Sequence, residues 1–204
     1  MKIFINKALN LFLKHNTENQ LRLEKREIEN AKLRAEKKSD IYRWQNNQEL
    51  FLDWDERTII LGSYLLPNAK IIEFGAGNMI LKTHLQNYQS YTPSDIIQRF
   101  EETVICDLNK PINFSMELYN TVIFSGVLEY VYDIDFVFKE LGPTVKQIVL
   151  SYCCADIVKL SRDKNGWLSD YTKNDLEEIF KKEGFKIENY AEWRNQSLYN
   201  LIRE

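Results

Sequence analysis

The chain has 204 residues, 44% of them apolar and 28% charged, with 7 Gly and 4 Pro. That is enough for one domain with a real core and a helical appendage, and it argues against disorder and collagen-like repeats. The net charge of −3 conceals an asymmetry: residues 1–38 hold ten Lys/Arg against five Glu, while the rest hold 17 Lys/Arg against 25 Asp/Glu, a balance that repels phosphate backbones and argues against a nucleic-acid substrate.

Residues 2–14 read as a short amphipathic helix with Ile5, Ala8, Leu9 and Phe12 on one face. No small-residue cleavage site follows it and no run of about 18 apolar residues occurs anywhere, so neither a signal peptide nor a membrane span is expected, and the chain is read as cytoplasmic. Residues 18–38 form a second, charged helix without a clean heptad. It is either an arm for a homo-oligomer or an acidic membrane surface, or a charged helix lying lightly on its own domain. Residues 41–66 supply one or two more helices anchored by Trp44, Phe51 and Trp54, with Asp53 or Asp55 as cap. Leu66-Pro67-Asn68 ends this N-terminal helical extension, 1–66.

From residue 67 the pattern changes to alternating strands and helices. Strands are expected at 70–74, 91–94, 103–106, 120–125, 147–152, 185–193 and 197–203, the last two as a hairpin. Helices are expected at 78–87, 133–141 and 173–183, with Gly184 ending the last. This is an α/β domain, 67–204: a mostly parallel, seven-stranded, doubly wound sheet with an antiparallel last strand. Cys106, Cys153 and Cys154 suit neither a disulfide framework nor a zinc site, and are expected to be reduced and partly buried. No metal site is read.

Such a sheet binds ligands beyond the carboxyl ends of its strands, next to the first one. The residues there are Glu73 to Gly77, Asp95, Asp107 to Asn109, and Ser125 to Tyr130. Gly75 and Gly77 allow a sharp turn and close approach of a ligand to the backbone. A carboxylate at Asp95 can accept both hydrogen bonds of a ribose diol, and one at Asp107 can accept from an adenine amine. Asp107 could equally cap a turn with Asn109. A glycine turn and three acids describe an adenosine ligand without a pyrophosphate, and favour a cationic one such as a sulfonium.

This ordered set resembles the class I S-adenosylmethionine-dependent methyltransferases. It stands here as Ile72-Glu73-Phe74-Gly75-Ala76-Gly77-Asn78, Tyr91-Thr92-Pro93-Ser94-Asp95-Ile96, Val104-Ile105-Cys106-Asp107-Leu108-Asn109 and Phe124-Ser125-Gly126-Val127-Leu128-Glu129-Tyr130-Val131. The resemblance covers about 70–204. It implies S-adenosylmethionine as cofactor. Glu73, Gly75 and Gly77 would face its methionine part, Asp95 its ribose, Asp107 and Leu108 its adenine, and Ser125 and Gly126 the sulfonium. Two positions depart from the family pattern. Met79 stands where a third glycine is frequent, and Tyr130 replaces the motif histidine, which removes a ready general base.

Tyr130, Tyr152 and Asp170 are the candidates left for that base. His15 and His84 fall in predicted helices away from the strand ends. In the loop 154–171, Arg162 and Lys164 could hold a phosphate or carboxylate and Trp167 could stack on a ring; the other reading is a surface loop. The chain lacks the Asn-Pro-Pro-aromatic motif associated with amino-group methylation, which favours an oxygen acceptor. The expected reaction is methyl transfer to a small molecule, a hydroxyl of a sugar or sugar nucleotide in surface polysaccharide biosynthesis. The alternatives are an NAD(P)-binding oxidoreductase, whose Gly-x-Gly-x-x-Gly loop would need glycine where Ile80 stands, and a catalytically silent adenosine-binding module.

Overall fold

The structure is a computed structural model that describes residues 2–46, 50 and 52–204, with side chains from residue 17 onward. Phe51 and the side chains of the 2–14 face therefore lie outside the described residues. Seven strands form one sheet: β1 (Lys70–Phe74), β2 (Ser90–Asp95), β3 (Val104–Ile105), β4 (Thr121–Phe124), β5 (Gln147–Tyr152), β6 (Phe185–Trp193) and β7 (Gln196–Arg203). Their spatial order is β3-β2-β1-β4-β5-β7-β6. The first five pair in parallel, and β7 runs antiparallel to both β5 and β6. The order reverses between β1 and β4, so the loops leaving those two strands part there and open a crevice.

Successive side chains on a strand face opposite ways, and the central strands are buried on both sides. Ile72, Phe74, Val122, Phe124, Ile148 and Leu150 join one core with helices α4 (Ile134–Glu140) and α6 (Lys173–Lys182). Stacked rings cross this face from Phe74 through Phe124 and Phe138 to Phe180, with centroids 5.3, 6.4 and 5.4 Å apart. Ile71, Ile123 and Val149 point the other way, onto Leu61 of helix α3 (Asp55–Gly62) and onto Leu81. The cysteines are free and buried.

The structure departs from the sequence reading in three places. The two expected N-terminal helices are one, α1 (Lys2–Glu36), because nothing between them breaks a helix: the segment has no Gly or Pro. The helix expected at 78–87 is absent, leaving one 3-10 turn at Leu81–Thr83. Met79 and Asn87, with φ of 56° and 55°, adopt left-handed backbone that no α-helix continues through. Finally, Asp55 does not cap α3 but lies in its first turn, where its charge favours the positive helix end. The cap position is Trp54, whose side chain makes no capping bond.

The described second half of α1 lies on its own domain, against helix α5 (Arg162–Asn165). Asn30 is buried and donates to Asp163 Oδ1 at 2.8 Å and to the Trp167 carbonyl at 3.1 Å. Arg34 grips both Asp170 carboxylate oxygens at 3.1 Å. Leu21 and Ile28 stay exposed, so this face is mostly solvated. Among the described residues no helix is long and apolar enough to cross a membrane.

Candidate functional site

The crevice at the switch point is a cleft enclosing about 1070 Å³ of non-protein space, open solvent at its mouth included. It brings together Glu73, Gly75, Gly77, Asp95, Asp107, Leu108, Ser125 and Gly126, the eight positions expected to meet the cofactor, while Leu128 and Glu129 of the same strand-end set do not line it. Gly75 and Gly77 have φ of 70° and 51°, so the loop after β1 uses the freedom only glycine supplies cheaply. A Cβ on Gly75 would lie 2.9 Å from Val127 Cβ and Cγ2, so glycine is also what lets the β1 and β4 loops touch.

Strain of about 1–2 kcal/mol and overpacking of about 1–3 kcal/mol should therefore add in Gly75→Ala. Gly142 has the same left-handed backbone, with nothing within 4 Å of its Cβ position. Thermal unfolding should show Gly75→Ala losing at least about twice the melting temperature that Gly142→Ala loses, since about 1 kcal/mol is about 2–4 °C in a chain of this size. Equal losses would mean the loops do not meet.

Asp95 ends β2 and is 7% exposed. Its Oδ2 accepts the Gly77 N–H at 3.0 Å and its Oδ1 the Ile97 N–H at 3.0 Å, while Arg99 Nε stands 3.8 Å from Oδ2. A carboxylate has about four acceptor positions. Two remain, one on each oxygen, which is what a vicinal diol requires. Asp107 is more occupied: Oδ1 accepts from Ser39 Oγ at 2.6 Å and from the Asn109 N–H at 3.1 Å, and Lys110 Nζ is 3.2 Å from Oδ2. It makes the turn with Asn109 and still lines the cleft, with one acceptor position left. Glu73 is 2% exposed and receives the Tyr91 hydroxyl at 2.5 Å. Burial pushes its carboxyl up to about 8, against the lowering effect of Tyr91, with the Asp95 charge adding to the rise.

Sequence reasoning missed the other wall. Ser39, Trp44, Leu50, Trp54, Arg57 and Thr58 also line the cleft, so the N-terminal extension completes the site. Arg57 on α3 is 5% exposed and reaches the β4 end, with Nε 3.3 Å from Ser125 Oγ and Nη2 3.3 Å from the Ser125 carbonyl. Thr58 Oγ1 is 2.7 Å from the same hydroxyl. Burial pulls the Arg57 guanidinium down from its ordinary value and the charge of Glu129 pulls it back. A Cβ on Gly126, whose φ is 66°, would meet that guanidinium, so a side chain here would have to displace Arg57 from the β4 end. Trp44, at the end of the short helix α2 (Ile41–Trp44), stands edge-on to Tyr130 at 4.8 Å, with the Arg43 guanidinium 4.6 Å from the Trp44 ring. The tryptophans carried a faint signal as large apolar residues in a charged stretch; Ser39 carried none.

The remaining candidates are scattered. Tyr130 lines the cleft, and burial raises its phenol above the ordinary value, which keeps it neutral. Tyr152 is fully buried away from the cleft, its hydroxyl 2.9 Å from Ser169 Oγ and 3.0 Å from Arg162 Nη2. Asp170 lies outside the cleft, held between Arg34 and Arg162. Arg162 is spent on the Tyr152 hydroxyl, Asp170 and the carbonyls of Cys153 and Ser169. Lys164 faces Glu27 of α1 at 4.0 Å. Trp167 is buried beneath Arg162, whose guanidinium is 4.5 Å from its ring. His84 is tied to Thr83 and to the Ile80 carbonyl.

No family model matches the sequence, and no curated protein matches it. Solved structures do match. The 1,6-didemethyltoxoflavin-N1-methyltransferase of Burkholderia thailandensis, solved with 1,6-didemethyltoxoflavin and S-adenosylhomocysteine, superposes with a TM-score of 0.59 at 14% identity, over 85% of this chain and 88% of that one. The fold is that of the class I methyltransferases. The magnesium protoporphyrin IX methyltransferase of Synechocystis PCC 6803, solved with bound S-adenosylhomocysteine, matches with a TM-score of 0.51 at 14% identity, over 74% of this chain and 83% of that one. A methyltransferase from Aquifex aeolicus that depends on S-adenosylmethionine matches with a TM-score of 0.51 at 11% identity, over 72% and 89%. The cleft lies at the switch point of this methyltransferase fold.

Proposed function

We propose that the chain is an S-adenosylmethionine-dependent methyltransferase acting on a small molecule, with a hydroxyl of a sugar or sugar nucleotide as acceptor, in surface polysaccharide biosynthesis. The observation that carries the reading is one cleft in which Asp95 keeps an acceptor position on each oxygen beside a left-handed glycine turn, with Glu73 and Asp107 to either side. These residues suit the cofactor chemically. Asp95 takes the ribose diol, Asp107 the adenine amine and Glu73 the positive charge, while the glycine turn leaves room along the backbone. Leu108 supplies an apolar contact, and Ser125 and Gly126 line the reacting end.

When bound, the cofactor supplies a methyl group on a cationic sulfur that is already a good leaving group. The chain has to hold two reactants in line and keep water out, which in well-oriented systems lowers a barrier by up to about 7–11 kcal/mol. Trp44, Trp54 and Arg57 serve that end by closing the cleft from the N-terminal side. The oxidoreductase reading loses support from the local backbone. A pyrophosphate needs the N-terminus of a helix after the glycine loop, and here a single 3-10 turn follows.

The test is calorimetric titration with S-adenosylmethionine, S-adenosylhomocysteine and NADH. Micromolar binding of the first two and none of NADH is expected. Folded protein that binds neither sulfur compound would overturn the proposal, and binding of NADH alone would restore the oxidoreductase.

A further inference from the structure

A second chamber adjoins the cleft, and Trp54, Arg57, Gly126 and Tyr130 line both. It encloses about 1190 Å³ of non-protein space, its opening included. Glu129, on the 3-10 turn that follows β4, lines this chamber and is 2% exposed. Its Oε1 accepts the Cys153 N–H at 2.9 Å, and its carbonyl accepts the Leu168 N–H at 2.7 Å, so two separate segments fix it in place. Its Oε2 is buried and makes no well-aligned hydrogen bond, with the Cys153 thiol and the Arg57 charge beside the carboxylate. An unsatisfied buried acceptor costs about 1–3 kcal/mol, more when charged, and a fold that keeps one calls for a ligand or water that supplies the donor.

The rest of the chamber says what kind of ligand. Trp54, Trp167 and Val158 give flat apolar walls of the sort that pack on a ring. Its rim is cationic. Lys159 is exposed there, and Arg194 sits at the tip of the β6–β7 hairpin, stacked on Trp193 at 4.5 Å and 3.4 Å from Glu56 on the surface. Such a rim suits an anionic substituent.

We propose that this chamber is the acceptor site, that Glu129 is the catalytic residue that takes the acceptor's proton, and that the acceptor is a sugar carrying a phosphate. This rests on the methyltransferase reading above. The acceptor hydroxyl donates to Glu129 Oε2. Its oxygen forms a bond to the methyl carbon as the carbon–sulfur bond breaks, the electron pair stays on sulfur, and the proton moves to Oε2 and later to solvent. Glu129 thus does the work for which the replaced motif histidine is missing, from the position just before it. The neighbouring phenol and thiol are poorly suited to the task, because burial raises both Tyr130 and Cys153 above their ordinary values.

Glu129→Gln keeps an oxygen for the Cys153 N–H and converts the open acceptor into a donor. Three readouts decide the matter: S-adenosylhomocysteine affinity, binding of glucose 1-phosphate and UDP-glucose to protein saturated with S-adenosylhomocysteine, and the rate of methyl transfer to both sugars. The wild type should bind at least one of the sugars. Glu129→Gln should weaken that binding about tenfold or more and lower kcat by about a hundredfold or more, while it stays folded with S-adenosylhomocysteine affinity within about threefold and a melting temperature lowered because the buried Arg57 loses the carboxylate beside it. Lys159→Ala should weaken sugar phosphate binding with no loss of S-adenosylhomocysteine affinity. The proposal is overturned if the wild type binds S-adenosylhomocysteine but neither sugar, or if Glu129→Gln binds and turns over as the wild type does. Failure of the wild type to bind S-adenosylhomocysteine would overturn the methyltransferase reading first, and this proposal with it.

Discussion

Asp95→Asn should weaken S-adenosylhomocysteine binding by at least about a hundredfold. Two of the four acceptor positions of this carboxylate are committed to the N–H groups of Gly77 and Ile97. An asparagine keeps one oxygen, so its amide must face one of those N–H groups, donor against donor, and the glycine turn moves. The ribose loses a charged acceptor as well. Hydrogen bonds to charged groups are worth about 1.5–3 kcal/mol each, and 1.4 kcal/mol is about tenfold in affinity. Asp107→Asn should cost less, about tenfold, because the oxygens there are mostly taken by Ser39, Asn109 and Lys110 already. Titration calorimetry on both variants checks the ranking. An Asp95→Asn protein that binds within about threefold of wild type would remove Asp95 from the ribose.

What the sequence discloses about this fold depends on how local the cause is. β1, β4 and β5 are short runs rich in branched apolar residues and buried on both faces, and they are readable because their length, their β-branched content and the breakers around them suit a strand. Helix α6 announces its own start, with Thr172 and Asp175 forming a reciprocal cap. The carboxylates at the strand ends follow from chain order once the strands are placed. The helix expected after the glycine turn failed because the left-handed backbone at Met79 has no counterpart in residue type, while Asn87, which tolerates that backbone, stands where it reads as an ordinary helix stop. The far wall of the cleft failed for another reason. Ser39 meets Asp107 and Arg57 meets Ser125 across 68 residues, and contacts so distant leave no periodic trace. The same blindness misplaced Arg162, which reads as a cation waiting for an anion and is in fact bonded to the Tyr152 hydroxyl and the Ser169 carbonyl.

Glu73 makes the second large prediction, and its sign follows from burial. Its carboxyl titrates at about 8 in the folded chain, against about 4.3 for an unperturbed glutamate. Between those values the folded protein holds a proton that the unfolded chain has lost. The stabilisation is complete below about pH 4, declines as the pH rises, and is gone above about pH 8. Over the window from pH 6 to 8 the loss approaches about 2–3 kcal/mol, at about 1.36 kcal/mol per unit, or roughly 5–10 °C in melting temperature. Glu73→Gln mimics the protonated acid and should hold its melting temperature across the same window. Ligand binding should run the opposite way. A cation beside Glu73 favours the carboxylate, so S-adenosylmethionine must expel the proton at low pH. Its affinity should then rise by up to about tenfold per unit from pH 6 to 8, with close to one proton released at pH 6.5. Calorimetry in buffers of different ionisation enthalpy measures that proton directly. A wild-type melting temperature flat from pH 6 to 8, or a slope that persists in Glu73→Gln, would show that Glu73 is ionised in the folded chain and that the Tyr91 hydroxyl, 2.5 Å away, outweighs its burial.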